Sequence, residues 1–381
     1  MLDTLRSEYG ITHITAAMSG AFTQRGECAV FDKYTRTKAA LCAGADLVVS
    51  LPFVYSAQNA QTFAIGSVYT ALLTQSEYLA FGCEHDDISV YAEAVKICSS
   101  AAFKKMMSET KHSKEPYPQK RIEALNALGG KDFSFLREAN NILAFEYLKA
   151  LSETAGGKVK PIAVKRIGAL HSSEAPVGEY ASATYIRKLI YEGNYGEALR
   201  YMPRECAFTH ESLSSARIFS QEELTDALKA VILITPPEKL SEICDMQDGM
   251  QNLFKANLRL LNDGIQPFAE AVSGKRISLS RVRRCLVDML LGCTKADNAD
   301  VKNSPPAYIR VLGANDRGRE LINIMKQNDS LTVITKLADG CAKLSPRDKR
   351  IIGFDIAAED AVRFKEGISG CDYLYTPYIL S

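Results

Sequence analysis

Short apolar runs alternate with helical stretches over the first two hundred residues, and this alternation limits the fold more than any other feature of the chain. Residues 14–18, 47–51 and 78–81 read as strands, being short, apolar and closed by polar or glycine-containing turns. Residues 33–43 and 57–73 lie between them with helical spacing, residues 140–151 give a further helix, and residues 160–165 (KPIAVK) a fourth strand. Regular succession of strand and helix predicts a parallel sheet with helices on both faces, because parallel neighbours need a crossover connection. Ligands of such sheets bind beyond the carboxyl ends of the strands. Ser19 and Gly20 follow the first run, Gly82 ends the third, and Arg166 follows the fourth, ahead of Gly168.

The stretch after the first strand is the most suggestive. Ser19-Gly20 and Gln24-Arg25-Gly26-Glu27 offer small residues, backbone amides and a guanidinium, and Lys33, Arg36 and Lys38 follow on a helical surface. This suits a polyanionic ligand; a solvated turn followed by an ordinary basic helix presents the same pattern. Asn140 and Asn141 open a helix, where asparagine is a common cap, and Ser182 and Thr184 open another ahead of Arg187, able to cap it or to bind an anion.

Residues 88–130 read as a lysine-rich helical insertion broken by Pro116 and Pro118, and the irregular residues 203–217 as a linker. The expected organisation is a Rossmann-like domain over 1–204 and, over 205–381, a mainly helical domain closing on a small α/β part. Residues 273–284 form its densest basic run, with Lys275, Arg276, Arg281, Arg283 and Arg284 beside apolar Leu279, Val282, Leu286 and Leu290 at helical spacing. Half of that helix is core. The other side is a phosphate-contacting face for RNA or a solvated face.

Composition narrows the classes. With 46 Lys and Arg against 45 Asp and Glu, no global field recruits nucleic acid, so a polyanion site must be a local patch. Ten cysteines contain no CxxC pair and five histidines form no ligand spacing with them, which points to reduced thiols and no zinc centre. The start has no apolar signal core, and no apolar run approaches the roughly 20 residues that span a bilayer. A soluble, cytoplasmic protein is expected.

Met18-Ser19-Gly20, Gln24-Arg25-Gly26-Glu27, Arg36-Thr37-Lys38, Leu51-Pro52, Phe81-Gly82, Asn140-Asn141-Ile142-Leu143, Lys165-Arg166 and Ser182-Ala183-Thr184-Tyr185-Ile186-Arg187 follow in an order that resembles the tRNA(Met) cytidine acetate ligases. The likeness continues through Lys275-Arg276-Ile277, Leu279-Ser280-Arg281 and Tyr308-Ile309-Arg310-Val311-Leu312-Gly313, and so covers nearly the whole chain. It implies a nucleotidyltransferase-type Rossmann fold, activation of acetate by ATP to acetyl-adenylate and pyrophosphate, and acetylation of N4 of the wobble cytidine of elongator tRNA(Met). By the same resemblance Gly82 lets the nucleotide approach the backbone, Asn141 hydrogen-bonds it, and Arg166 and Arg187 balance phosphate charge. Ser182, Thr184, Ser19 and Gly20 join the nucleotide site, Arg25, Lys33 and Lys38 contribute on the same side, and Lys275, Arg276, Arg281 and Arg284 face the tRNA. Magnesium is expected with ATP, without a nameable ligand.

One departure stands out. The family opens with an apolar strand running into an HxGH loop that grips the ATP phosphates, and no HxGH occurs in these 381 residues. Ala139 and Ala144 replace a proline and a glycine. A doubly wound sheet without its central strand would lose ladder hydrogen bonds worth about 1 kcal/mol each. The expectation is therefore that the natural protein begins upstream of Met1 and that the chain as it stands is inactive. Two further readings stay open: a non-catalytic RNA-binding relative, and another small-acid nucleotidyltransferase.

Overall fold

A computed structural model describes residues 1–381 apart from 111–114, 167–175, 177, 179, 207 and 381, so Gly168, noted after the fourth strand, lies outside the described residues. Seven strands occur among the described residues: β1 (Thr15–Ser19), β2 (Leu47–Leu51), β3 (Tyr78–Cys83), β4 (Lys160–Lys165), β5 (Tyr308–Ala314), β6 (Thr332–Ile334) and β7 (Tyr378–Ile379). The chain gathers into two compact units, Ala60–Ile167 and Leu2–Asn59 with Gly168–Ser381. This grouping runs across the boundary expected near residue 205.

In the larger unit β1 and β2 are parallel, Thr15 opposite Leu47, joined through the helix Lys33–Cys42. Asp32 caps that helix, its carboxylate accepting the Tyr34 and Thr35 amides at 2.8 Å. Every residue of β2 is buried, which is why LVVSL reads as an unbroken apolar run. The other edge of β2 takes β5, and the pair is antiparallel with a bulge between Val48 and Val49. Strands β6 and β7 then add parallel to β5. The strands of the small terminal α/β part expected after the helical region therefore extend the sheet that begins with β1, and the sheet is mixed. A fully buried strand leaves no ladder group unpaired, and β5, buried throughout, supplies the partner that β2 needs.

The helical part of this unit packs Leu228, Ile232, Phe254, Phe268, Val282 and Leu286 into one core, all of them 0–1% exposed. Expected core positions Val282 and Leu286 are buried, but Arg284 and Asp288 of the same helix, Leu279–Leu291, are buried as well. The expected linker carries the short helix His210–Ser215, with Thr209 and Ser212 forming a reciprocal cap.

The smaller unit pairs β3 and β4 in parallel, Gly82 opposite Val164. Its lysine-rich insertion is three helices, Ile88–Ser99, Ala101–Glu109 and Tyr117–Gly129, with Pro116 at the cap and Pro118 in the first turn of the third. Arg121 is buried among them, paired with Glu146 at 2.9 Å and lying over the Phe145 ring.

Candidate active site

The smaller unit assembles its polar groups where strand-end logic places them. At the carboxyl end of β3 and β4 the Arg166 amide donates to the Cys83 carbonyl at 2.9 Å, setting Arg166 beside Gly82. A Cβ on Gly82 would lie 3.5 Å from the Arg166 side chain and 3.9 Å from the Val164 carbonyl oxygen, both ordinary contacts, so nothing among the described residues requires glycine here. The side chain of Arg166 is 42% exposed, with Glu84 Oε1 3.8 Å from its Nε. Glu84 also accepts from the Asn140 amide at 2.5 Å, and its Oε2 has no partner within the described residues. Burial pushes the Cys83 thiol up to about 11, so it is protonated at neutral pH and no nucleophile.

Asn141 has a different place from the one expected. It is 1% exposed, and its Oδ1 accepts from the Glu84 and His85 amides at 2.9 and 3.1 Å and from the Tyr91 hydroxyl at 2.8 Å. Its Nδ2 donates to the Phe135 carbonyl at 3.0 Å. Both ends of the amide are used in holding the turn after β3, so Asn141 fixes the strand end from behind. The turn is braced on the same side by the rings of His85, Tyr91 and Phe135.

In the larger unit the Ser19 and Gly20 carbonyls accept from the two Nη atoms of Arg36, at 2.9 and 2.6 Å, while a Cβ on Gly20 would meet nothing. Arg36 thus clamps the end of β1. Lys33 does not line an open site: it is fully buried, 2.7 Å from Asp372 and 3.3 Å from Glu359. Arg310 and the Tyr34 hydroxyl meet the same Asp372 carboxylate. Lys38, further along the helix, is exposed, as is Arg25 at the tip of the turn closed by the Phe22–Cys28 bridge. Ser182 caps the helix Ala183–Tyr191 by accepting the Tyr185 amide at 3.1 Å, and Arg187 lies back on Thr184, also at 3.1 Å.

The basic helix is partly consumed. Arg284 is buried against Asp245, with Nη2 to Oδ2 2.6 Å, and Arg283 pairs with Glu27 and bonds Gln266. Gly26, at φ +76°, seats its turn on this helix, for a Cβ there would fall 2.5 Å from the Arg284 nitrogen. Arg284 is therefore a structural cation. Lys275 and Arg276 stay exposed and Arg281 half-buried. Sequence reasoning missed Glu84, His85 and Tyr91, although the rule that sites follow strand ends points at the first two.

A family model described as HIGH Nucleotidyl Transferase matches residues 1–368. Curated relatives called tRNA(Met) cytidine acetate ligase include one from Clostridium perfringens, 32% identical over 98% of this chain and 94% of its own length. Another, from a Thermoanaerobacter species, is 33% identical over 94% of this chain and 90% of its own. Among solved structures, the apo form of Thermotoga maritima TmcAL superposes with a TM-score of 0.92 at 25% identity, covering 100% of this chain and 95% of that one. The same protein bound with alpha-thio ATP gives a TM-score of 0.89 at the same identity and coverage. The chain belongs to the tRNA(Met) cytidine acetate ligase family, on a Rossmann-like HIGH nucleotidyltransferase fold.

Proposed function

We propose that the protein activates acetate with ATP and acetylates N4 of the wobble cytidine of elongator tRNA(Met). The observation that carries this reading is the likeness, along the whole chain, to a protein solved with an ATP analogue. An acetate oxygen attacks the α-phosphorus and pyrophosphate leaves. The cytidine amine then attacks the acetyl carbon, AMP departs with that oxygen, and the amine gives up a proton.

The side chains supply placement and charge. Gly82 admits the nucleotide to the backbone at an open position, and the exposed Arg166 guanidinium meets phosphate charge as pyrophosphate departs. Asn141 keeps the Glu84–His85 turn in place for them. Ser19, Gly20, Ser182, Thr184 and Arg187 of the larger unit are proposed as further nucleotide contacts, and Arg25 and Lys38 as substrate-binding cations; Lys275, Arg276 and Arg281 are the proposed tRNA contacts of the basic run. No group of three His, Cys, Asp or Glu side chains fit to hold a metal occurs among the described residues. Magnesium would then ride on the ATP phosphates.

Acetate-dependent exchange of pyrophosphate into ATP tests this reading. It is measured on the chain as it stands and on a form carrying a strand and HxGH loop ahead of it. Exchange in the second form, falling about 100-fold on Arg166→Ala, is expected. A second reading is an RNA-binding relative without ATP chemistry, carried by the exposed Lys275 and Arg276 of the basic run. Silence from both forms, each folded and binding tRNA, would select it.

A further inference from the structure

A groove of about 510 Å³ runs along β6 in the larger unit, lined by residues 331–336 and by Lys326, Asp339, Gly340 and Lys343. Strand β6 pairs with β5 on one edge, where the Thr332 amide donates to the Ala307 carbonyl at 2.9 Å. Backbone alternation turns the N–H and C=O of Val333 to the other edge. The wall opposite is the helix Leu337–Lys343, held close because a Cβ on Gly340 would fall 2.6 Å from Ile334.

Lys326 follows the helix Asp316–Met325, Lys336 stands at the cap of Leu337–Lys343, and Lys343 ends it. The topology thus brings three cations from three element ends onto one groove, against the single carboxylate of Asp339. All three are exposed, and none has an ion-pair partner among the described residues. Lys336 occupies a cap position that helix energetics gives to Ser, Thr, Asn or Asp, and its side chain makes no capping bond. The basic run at 275–284, by contrast, spends Arg283 and Arg284 internally.

We propose that the β6 groove is a tRNA-binding surface, in which Lys326, Lys336 and Lys343 contact successive phosphates of the RNA backbone. The proposal rests on the tRNA ligase reading. It adds a surface that the basic helix does not include.

The test is binding of unmodified tRNA(Met) transcript to the full chain between 50 and 200 mM salt. Compared are the parent, the triple variant Lys326→Ala, Lys336→Ala, Lys343→Ala, and the triple Lys→Arg variant. Expected for the alanine variant are affinity lower by about tenfold or more and a log–log salt slope shallower by about two to three, with the arginine variant near the parent. Parent-like affinity and slope in a folded alanine variant would overturn the proposal. So would loss of an Asp- and Glu-rich peptide's binding with tRNA binding intact, which would assign the groove to an added protein strand. If the parent itself does not bind the transcript, the ligase reading and this proposal fall together.

Discussion

Lys33 and Lys38 show what a sequence hides at the scale of single residues. They sit on one helix five positions apart, so they face away from each other; one is fully buried and the other exposed. A buried lysine needs a partner, and that partner, Asp372, comes from 339 residues away. Nothing near Lys33 in the chain announces it. Removing Asp372 leaves Arg310 without its carboxylate and Lys33 with only the longer contact to Glu359, so Asp372→Ala is expected to cost about 3 to 5 kcal/mol in denaturant unfolding. Gly82→Ala is the opposite case, since the added methyl makes only ordinary contacts, with the arginine stem at 3.5 Å and the Val164 carbonyl oxygen at 3.9 Å. The melting temperature should hold while KM for ATP rises at least several-fold; an unchanged KM would detach Gly82 from the nucleotide. Asn141 was legible as a helix-start residue, but its role behind the strand end was not, because Tyr91 and the Glu84–His85 turn meet it only in the folded unit.

Elements were more legible than their partners. The runs at 47–51 and 160–165 are strands with the expected bounds, since a fully or half-buried strand prints its apolar pattern directly. The pairing of β2 with β5 was not readable, as it joins strands more than 250 residues apart and reverses direction. The same holds for the turn of Gly26 on the helix Leu279–Leu291, which turns two arginines of a basic run into structure. Gly26→Ala combines a strained φ with a backbone clash, and should destabilise the larger unit by about 2 kcal/mol or more. Protection of the Leu279–Leu291 amides in hydrogen exchange should fall with it, and unchanged protection would separate the turn from the helix.

Over the whole molecule, buried carboxylates set a pH dependence. Burial, opposed by Lys33 and by the Phe53 amide, raises Asp355 from 3.8 to about 6. The folded protein then holds this proton more tightly than the unfolded chain. Its contribution to stability is full below about pH 4 and is lost as pH rises through 6, a change of about 3 kcal/mol. Burial also acts on Asp372, but Lys33 and Arg310 outweigh it and hold that carboxyl below 3.8, so its contribution is present above about pH 4 and lost below. Asp355→Asn should flatten the fall between pH 4 and 6 in urea titrations, and an unaltered slope would refute the assignment. The strand–helix alternation made parallel pairing legible from the sequence, as in β1 with β2 and β3 with β4, while the antiparallel β5 and the joining of both chain ends in one sheet were not, being held by distant buried pairs such as Lys33 with Asp372.

The most direct measurement follows oxygen. Acetate labelled with ¹⁸O is supplied with ATP and tRNA(Met) to the form carrying the HxGH loop, and the phosphates are analysed by mass spectrometry. If acetate attacks the α-phosphorus and cytidine then takes the acetyl group, one labelled oxygen appears in AMP for each N4-acetylcytidine formed. Label in orthophosphate, or acetylated tRNA with unlabelled AMP, would contradict activation as acetyl-adenylate.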